Sequence, residues 1–306
     1  MTLPSVAVLP LLVVVAAGVY YIYNEVMRYM SKSLVKNKVV VITDAVSGVG
    51  TECAHLFHKG GARLILCGAS WDKLESLYDS LTNDADPRET FAPKLVILDF
   101  SDMDSVEEMV SEVVECYGCV DVLICNSSVK LKAPVQSVSL ELDRNIMDIN
   151  YFGPSSLAKG VLPTMICRRS GHIVLVTSIH GRLAVPFRSS YTASKHAAQA
   201  FFDCLRAEVE EYGILVSTVS HTFINTSEPL PVKGDVIIIA SQLTHGVRPS
   251  ILANEIMQTV NRKKKEVVLA HPVPRVALLL RSLLPSFLFA VLAAGVKDSE
   301  LNEQMQ

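Results

Sequence analysis

The chain has 306 residues, 50% of them hydrophobic and 19% charged, with a mean hydropathy of +0.34. That composition excludes a disordered, collagen-like or disulfide-scaffold chain, and the length suffices for one large α/β domain. With 28 basic against 31 acidic residues the net charge is −3, without the basic excess of a nucleic-acid binder.

The first element is apolar. No side chain from Met1 to Asn24 is charged, and Leu3 to Tyr23 is long enough to cross the roughly 30 Å hydrocarbon core of a bilayer as a helix. Tyr20, Tyr21 and Tyr23 stand at its exit, and Arg28, Lys32, Lys36 and Lys38 follow against the single acid Glu25. This order predicts a membrane anchor over residues 1–30 with the body of the protein facing the cytosol. The alternative is a cleaved signal segment, with Ala16-Ala17-Gly18 as the cutting site, and hence a secreted protein. The lack of Lys or Arg before the run, and the run's length, favour the anchor.

From Lys38 to Ala270 short β-branched runs alternate with helical patterns. Strands are predicted at 38–43, 63–67, 95–99, 120–124, 172–176, 214–219 and 266–270. Between them come helices from Gly50 to Lys59, through Leu74, Leu77 and Leu81, from Val106 to Cys116, through Asn150 and Leu157, from Ala193 to Tyr212, and from Ile251 to Val260. Regular alternation of this kind predicts one α/β domain over residues 36–270, a Rossmann-type doubly wound parallel sheet. Residues 271–306 form an apolar tail interrupted by Pro285, expected to pack on the body or to touch a membrane. The basic run Arg262–Lys265 before it is a candidate contact for anionic headgroups.

The chemistry lies at the ends of the predicted strands. Thr43-Asp44-Ala45-Val46-Ser47-Gly48-Val49-Gly50 opens a helix with glycines, which lets backbone approach a pyrophosphate at the helix N-terminus. Alone this is weak evidence, because glycines end many turns for conformational reasons. Tyr191 and Lys195 are four residues apart and share a helical face. A lysine beside a phenol is expected to lower its pKa from about 10 towards the working pH. Ser178 ends a predicted strand thirteen residues before Tyr191, and Asn150 lies twenty-eight residues before Ser178.

The order Asn150, Ser178, Tyr191, Lys195, with the glycine turn upstream, resembles the short-chain dehydrogenase/reductase family over about Lys36 to Ala270. The resemblance implies that Tyr191 acts as general base or acid on an alcohol or carbonyl. Lys195 would assist Tyr191 and hold the nicotinamide ribose, Ser178 would bond the reacting oxygen, and Asn150 would order a relay water. It implies cofactor contacts from Thr43, Ser47, Gly48, Val49, Gly50, Asn126, Tyr191 and Lys195, adenine contact from Asp99, and carboxamide contact from Ile224 and Thr226. The anchor and the basic run narrow the likeness to a branch of the endoplasmic and sarcoplasmic reticulum of muscle, whose implied activity is oxidation of retinol. The expected partners are a lipophilic small molecule and the membrane. A homodimer through the helices around Asn150 and Ala193–Tyr212 is the family's common arrangement.

Three motifs depart from the family pattern. Asp44 replaces the first glycine of T-G-x-x-x-G-x-G and brings a carboxylate towards the pyrophosphate. Cys125-Asn126-Ser127-Ser128 stands for N-N-A-G, and His221-Thr222 for Pro-Gly. These changes open the alternative of a weakly active or inactive scaffold or cofactor sensor. At the end of the second strand, Cys67-Gly68-Ala69-Ser70 offers no acid for a ribose 2′-hydroxyl and no base for a 2′-phosphate. NADP is the expected cofactor from the missing acid, with Lys73 or Arg63 as substitute cations and NAD left open. Cys116-Tyr117-Gly118-Cys119 lacks the second pair or nearby histidine that a zinc set needs, so no metal is expected. His180 reads as a solvated loop residue near the substrate mouth. His55 and His58 read as side chains of the first helix, with no metal partners. Asn126 and Asn225 match the glycosylation pattern but fall in predicted cofactor loops. Residues 227–247 are expected to cover the substrate.

Overall fold

A computed structural model describes residues 34–222 apart from Asp84 and Pro87, residues 246–270 and 272–304, and, within the predicted anchor, Gly18, Val19 and Tyr21, which are helical. The rest of the anchor, Ile224, Thr226 and most of the expected substrate cover lie outside the described residues.

Seven parallel strands form one sheet: β1 (Val39–Ile42), β2 (Arg63–Gly68), β3 (Lys94–Ile97), β4 (Val122–Cys125), β5 (Gly171–Ser178), β6 (Ile214–His221) and β7 (Glu266–Leu269). Their order is β3-β2-β1-β4-β5-β6-β7, so the winding reverses between β1 and β4. The connecting helices are α1 (Gly48–Lys59), α2 (Trp71–Thr82), α3 (Val106–Glu115), α4 (Leu140–Met147), α5 (Gly153–Arg168), α6 (Ser189–Glu208) and α7 (Pro249–Arg262). The doubly wound architecture expected from the alternation is present.

Both faces of the sheet are buried, which is why its strands read as continuous apolar runs instead of alternating ones. Val39 and Val41 point into a core shared with Val113 of α3, Val161 of α5 and Phe202 of α6. Val40 and Ile42, one pleat away, point into the opposite core with Phe57 of α1, Leu74 of α2 and Ile256 of α7. The two-residue period of the strand thus distributes one valine run over two helical layers.

The long helix expected through Asn150 is broken. α4 ends at Met147, a π-helical turn spans Asp148–Phe152, and α5 starts at Gly153-Pro154. Gly153 sits against Phe100, where an added Cβ would come within 2.2 Å of the ring. That close approach leaves no room for a side chain. Helix α6 starts four residues earlier than the sequence pattern suggested, so Tyr191 falls within its first turn. At the C-terminal end, α8 (Pro272–Leu283) and α9 (Pro285–Gln304) meet at Leu284.

Candidate active site

The crevice opens at the C-terminal ends of β1 and β4, where ligands of open α/β sheets gather. Thr43, fully buried after β1, joins the two strands: its Oγ1 accepts from Asn126 N at 2.9 Å, Ser127 N at 3.1 Å and Ser127 Oγ at 2.9 Å. The Asn126 amide reaches across to Ser47 Oγ at 2.9 Å and to the Asp44 carbonyl at 3.3 Å. Ser47 caps α1 by accepting from Gly50 N at 3.2 Å and donates to the Asp44 carbonyl at 2.8 Å. The first-turn N–H groups of Gly48 and Val49 have no partner within the helix.

The two glycines of the turn are small for different reasons. A Cβ on Gly50 would lie 2.2 Å from the Asp44 carbonyl, so the turn itself forbids a side chain. A Cβ on Gly48 would meet nothing closer than Pro249 at 3.5 Å. Its bareness, which no clash within the fold demands, lets a pyrophosphate approach the backbone at the helix N-terminus. Asp44 takes the left-handed conformation, φ 49°, which aspartate tolerates better than most side chains. Burial pushes its carboxyl up to about 6, while Ser47 and Lys73 pull the other way. With that value the acid is still mostly ionised at pH 7, and the like-charge conflict with a phosphate eases only as the pH falls through about 6.

Of the two substitute cations for a 2′-phosphate, the fold keeps one. Lys73 lies in the first turn of α2 and interacts with Asp44 across the turn. Arg63 opens β2, about 16 Å of strand away from Gly68 at roughly 3.3 Å per residue, and its guanidinium covers the Phe91 ring at 4.8 Å. The possible role of Arg63 in cofactor choice is therefore corrected. Asp99, just beyond β3, is partly buried at the same edge, with Oδ1 accepting from Ser101 N at 2.9 Å and Ser101 Oγ at 2.8 Å.

Asn150, Ser178, Tyr191 and Lys195 are all buried at this sheet edge. Ser178 ends β5, and its hydroxyl and that of Ser128 both act on the Tyr191 hydroxyl so as to favour its ionised form. Lys195 Nζ stands 5.9 Å from the centre of the Tyr191 ring, one helical turn along α6. The expected lowering of the tyrosine pKa is not what this arrangement produces. Burial dominates and raises it, with Ser178, Ser128 and Arg188 opposing. Lys195 is itself brought down to about 7, by burial first and by Lys130 second, so it is a weakened source of positive charge.

Asn150 sits in the π-helical turn with its side chain committed. Oδ1 accepts from Val129 N at 2.8 Å, and Nδ2 donates to the Val129 carbonyl and to Ser194 Oγ, both at 2.9 Å. No amide proton is left for a water, so a water held at this position falls to the backbone.

Several residues here went unassigned or misread in the sequence. Ser128 was visible only as a loss of the family's N-N-A-G, yet its hydroxyl favours the ionised form of Tyr191. His180, read as solvated, is buried edge-on to Tyr191, with ring centres 5.7 Å apart and planes at 84°. His221 pairs with Ser178 in the β5–β6 register and donates from Nδ1 to the Thr222 carbonyl at 2.6 Å. Burial holds both imidazoles neutral, His180 at about 4 and His221 at about 3. Their signal was their place at strand ends, not any motif.

Comparison with known proteins gives the same reading. A model of the short chain dehydrogenase family matches residues 38–229. The chain is 64% identical to dehydrogenase/reductase SDR family member 7C-A of Danio rerio, with each covered in full. It is 55% identical to dehydrogenase/reductase SDR family member 7C of Homo sapiens over 96% of each chain. Among solved structures, a metagenomic short-chain oxidoreductase in complex with NADP aligns with a TM-score of 0.63 at 21% identity, covering 78% of this chain and 99% of that one. This chain belongs to the short-chain dehydrogenase/reductase family, a family of NAD(P)-dependent oxidoreductases.

Proposed function

We propose that the protein is a membrane-tethered, NADP-dependent oxidoreductase of the endoplasmic or sarcoplasmic reticulum. It interconverts a lipophilic alcohol, with retinol as the leading candidate, and its carbonyl, and its body faces the cytosol. The observation that carries the reading is the buried Tyr191 with Ser178 at the end of β5 beside it and Lys195 one turn away. The apolar N-terminal run supports the tether and with it a lipophilic substrate, and the likeness to the 7C proteins supports the oxidoreductase class.

Gly48, Val49 and the capped start of α1 would hold the pyrophosphate, Asp99 would face the adenine, and Lys73 would favour a 2′-phosphate. The bound nicotinamide supplies or accepts the hydride. The chain's own part is the proton. In reduction, the neutral Tyr191 phenol donates to the carbonyl oxygen while Ser178 bonds the same oxygen. In oxidation, Tyr191 must first lose its proton, and Ser178, Ser128 and Arg188 stabilise the phenolate that results. Asn150 serves as a positioning residue, pinning Val129 and so the neighbouring Ser128.

The test is turnover of retinol with NADP⁺, and of retinal with NADPH, by wild type and Tyr191→Phe. Equal rates would remove the proposal. A second reading, a scaffold that keeps the fold but handles nucleotide weakly, is favoured only by Asp44 in the phosphate turn. Thermal melts with and without NADPH separate the two, since a ligand that binds only the native state raises Tm. Stabilisation without turnover favours the sensor.

A further inference from the structure

We propose that the helical pair α8–α9, over residues 272–296, lies in the headgroup region of an anionic bilayer, beside the mouth of the active site. It rests on features separate from the N-terminal run. Helix α8 buries none of its side chains, and between Pro285 and Val296 only Leu288 is buried. Val276, Leu279, Leu283, Phe287, Phe289 and Val291 are all about half exposed or more, from 46% to 75%. In water so much apolar surface is strongly unfavourable, at roughly 25 cal/mol per Å².

The arrangement of these side chains selects the occupant. At 100° per residue, Phe287 and Val291 share one side of α9, while Phe289, on the other, is turned to α8, where Arg281 lies over its ring at 5.1 Å. One side of α9 is thus closed within the pair and the other is an open apolar face, the form of a helix lying in a bilayer interface. The charge agrees over the apolar stretch: Arg275 and Arg281 are the only charged residues between 272 and 296, and the acids of α9, Asp298, Glu300 and Glu303, come only after Lys297 at its far end. No helix among the described residues is long and apolar enough to cross a membrane, which places the pair in the interface and not across it.

The pair is also fixed relative to the site. Arg275 Nη2 donates to the Val268 carbonyl at 2.8 Å and ties α8 to β7. Ser178, His221 and Leu269 form one row across β5, β6 and β7, so α8 leaves the sheet about 10 Å from Ser178, two strand spacings away. The basic run Arg262–Lys265, the sequence's candidate for headgroup contact, lies at the other end of β7. Two of its lysines are engaged there, Lys264 with Glu255 at 2.6 Å and Lys265 with Glu210 at 2.8 Å. The membrane therefore meets the edge of the sheet at which a lipophilic substrate would enter.

The experiment uses the full chain in vesicles of phosphatidylcholine and phosphatidylserine with brominated or plain acyl chains. Trp71, the single tryptophan, is exposed on α2 and serves as the reference for the body. Phe287→Trp and Leu279→Trp, both at exposed positions, add a probe to each helix. The expected result is a blue-shifted probe emission that loses roughly half its intensity to bromine, with Trp71 in the unsubstituted chain unaffected. Flotation of the same vesicles reads the N-terminal anchor separately. Floating protein with both probes unquenched overturns the proposal and leaves the anchor standing, whether a second copy or the N-terminal segment covers the pair. Protein that does not float overturns both.

Discussion

The Asn150 amide donates to Ser194 Oγ across 2.9 Å and thereby ties the π-helical turn to the helix that carries Tyr191 and Lys195. The same side chain exchanges two hydrogen bonds with the backbone of Val129, next to Ser128. One asparagine thus sets the distance between the two walls of the site. Asn150→Ala leaves the half-buried Val129 N–H and carbonyl without these partners, at an expected cost of about 1 kcal/mol. Urea unfolding should show that loss, together with a lower kcat, since Ser128 is no longer held against Tyr191.

Tyr191→Phe should lower kcat by about 10²- to 10⁴-fold, the range expected for a positioned acid or base. The NADPH-induced rise in Tm should stay, because the phosphate turn is untouched.

Ser128→Ala removes a hydroxyl that favours the ionised form of Tyr191. The tyrosine pKa should rise further, and the pH at which alcohol oxidation reaches half its plateau should move upward. Carbonyl reduction, which starts from the neutral phenol, should lose much less at neutral pH. An unmoved oxidation profile would show that Ser128 does not act on the phenol.

Asp44 tests the phosphate turn. Its carboxyl has a usual value of 3.8 when unfolded and about 6 when folded. A raised acid holds its proton better in the native state, so the stability it contributes is full below about 3.8 and is lost as pH rises through about 6. Asp44→Asn should therefore stabilise the protein above pH 7, by up to about 3 kcal/mol, and by less where solvent reaches the group. The same variant should bind NADP⁺ more tightly at pH 7.5, with the advantage shrinking towards pH 5. Calorimetric melts and titrations across that range check both effects.

Three of the four buried imidazoles among the described residues, those with the largest shifts, predict acid lability. His172, held against Ser217 Oγ at 2.7 Å, has its pKa brought down by burial to about 4, as has His180, and His221 lies lower still. Their folded pKa values are below the unfolded value of 6.5, so above that pH they contribute no pH dependence. As pH falls from 6.5 towards 4 the unfolded chain takes up protons that the native state refuses, and stability drops. His172→Gln should flatten part of that slope without touching turnover. Melts at several pH values would show it.

Much of this was legible in sequence order. The seven strands could be found because a parallel sheet buried on both faces needs uninterrupted apolar runs, as in Val39–Ile42 and Ile173–Val176. Tyr191 and Lys195 could be paired because helical spacing is local. Arg63 illustrates the limit. Its place at the start of the second strand was legible, but the packing of its guanidinium on Phe91 joins residues far apart in sequence and had no local signal.

The sequence by itself determined the fold family, the identities in the tetrad and the oddity of Asp44, because these depend on period, order and residue type. Only the tertiary structure decided that Ser128 and His180 adjoin Tyr191, that His221 stands beside Ser178 in the sheet, and that Asn150 spends its amide on Val129 and Ser194. It alone set the direction of the Tyr191 and Lys195 shifts, since burial is the dominant cause of both. Burial and contact belong to the packed chain, where residues far apart in sequence share one low-dielectric space.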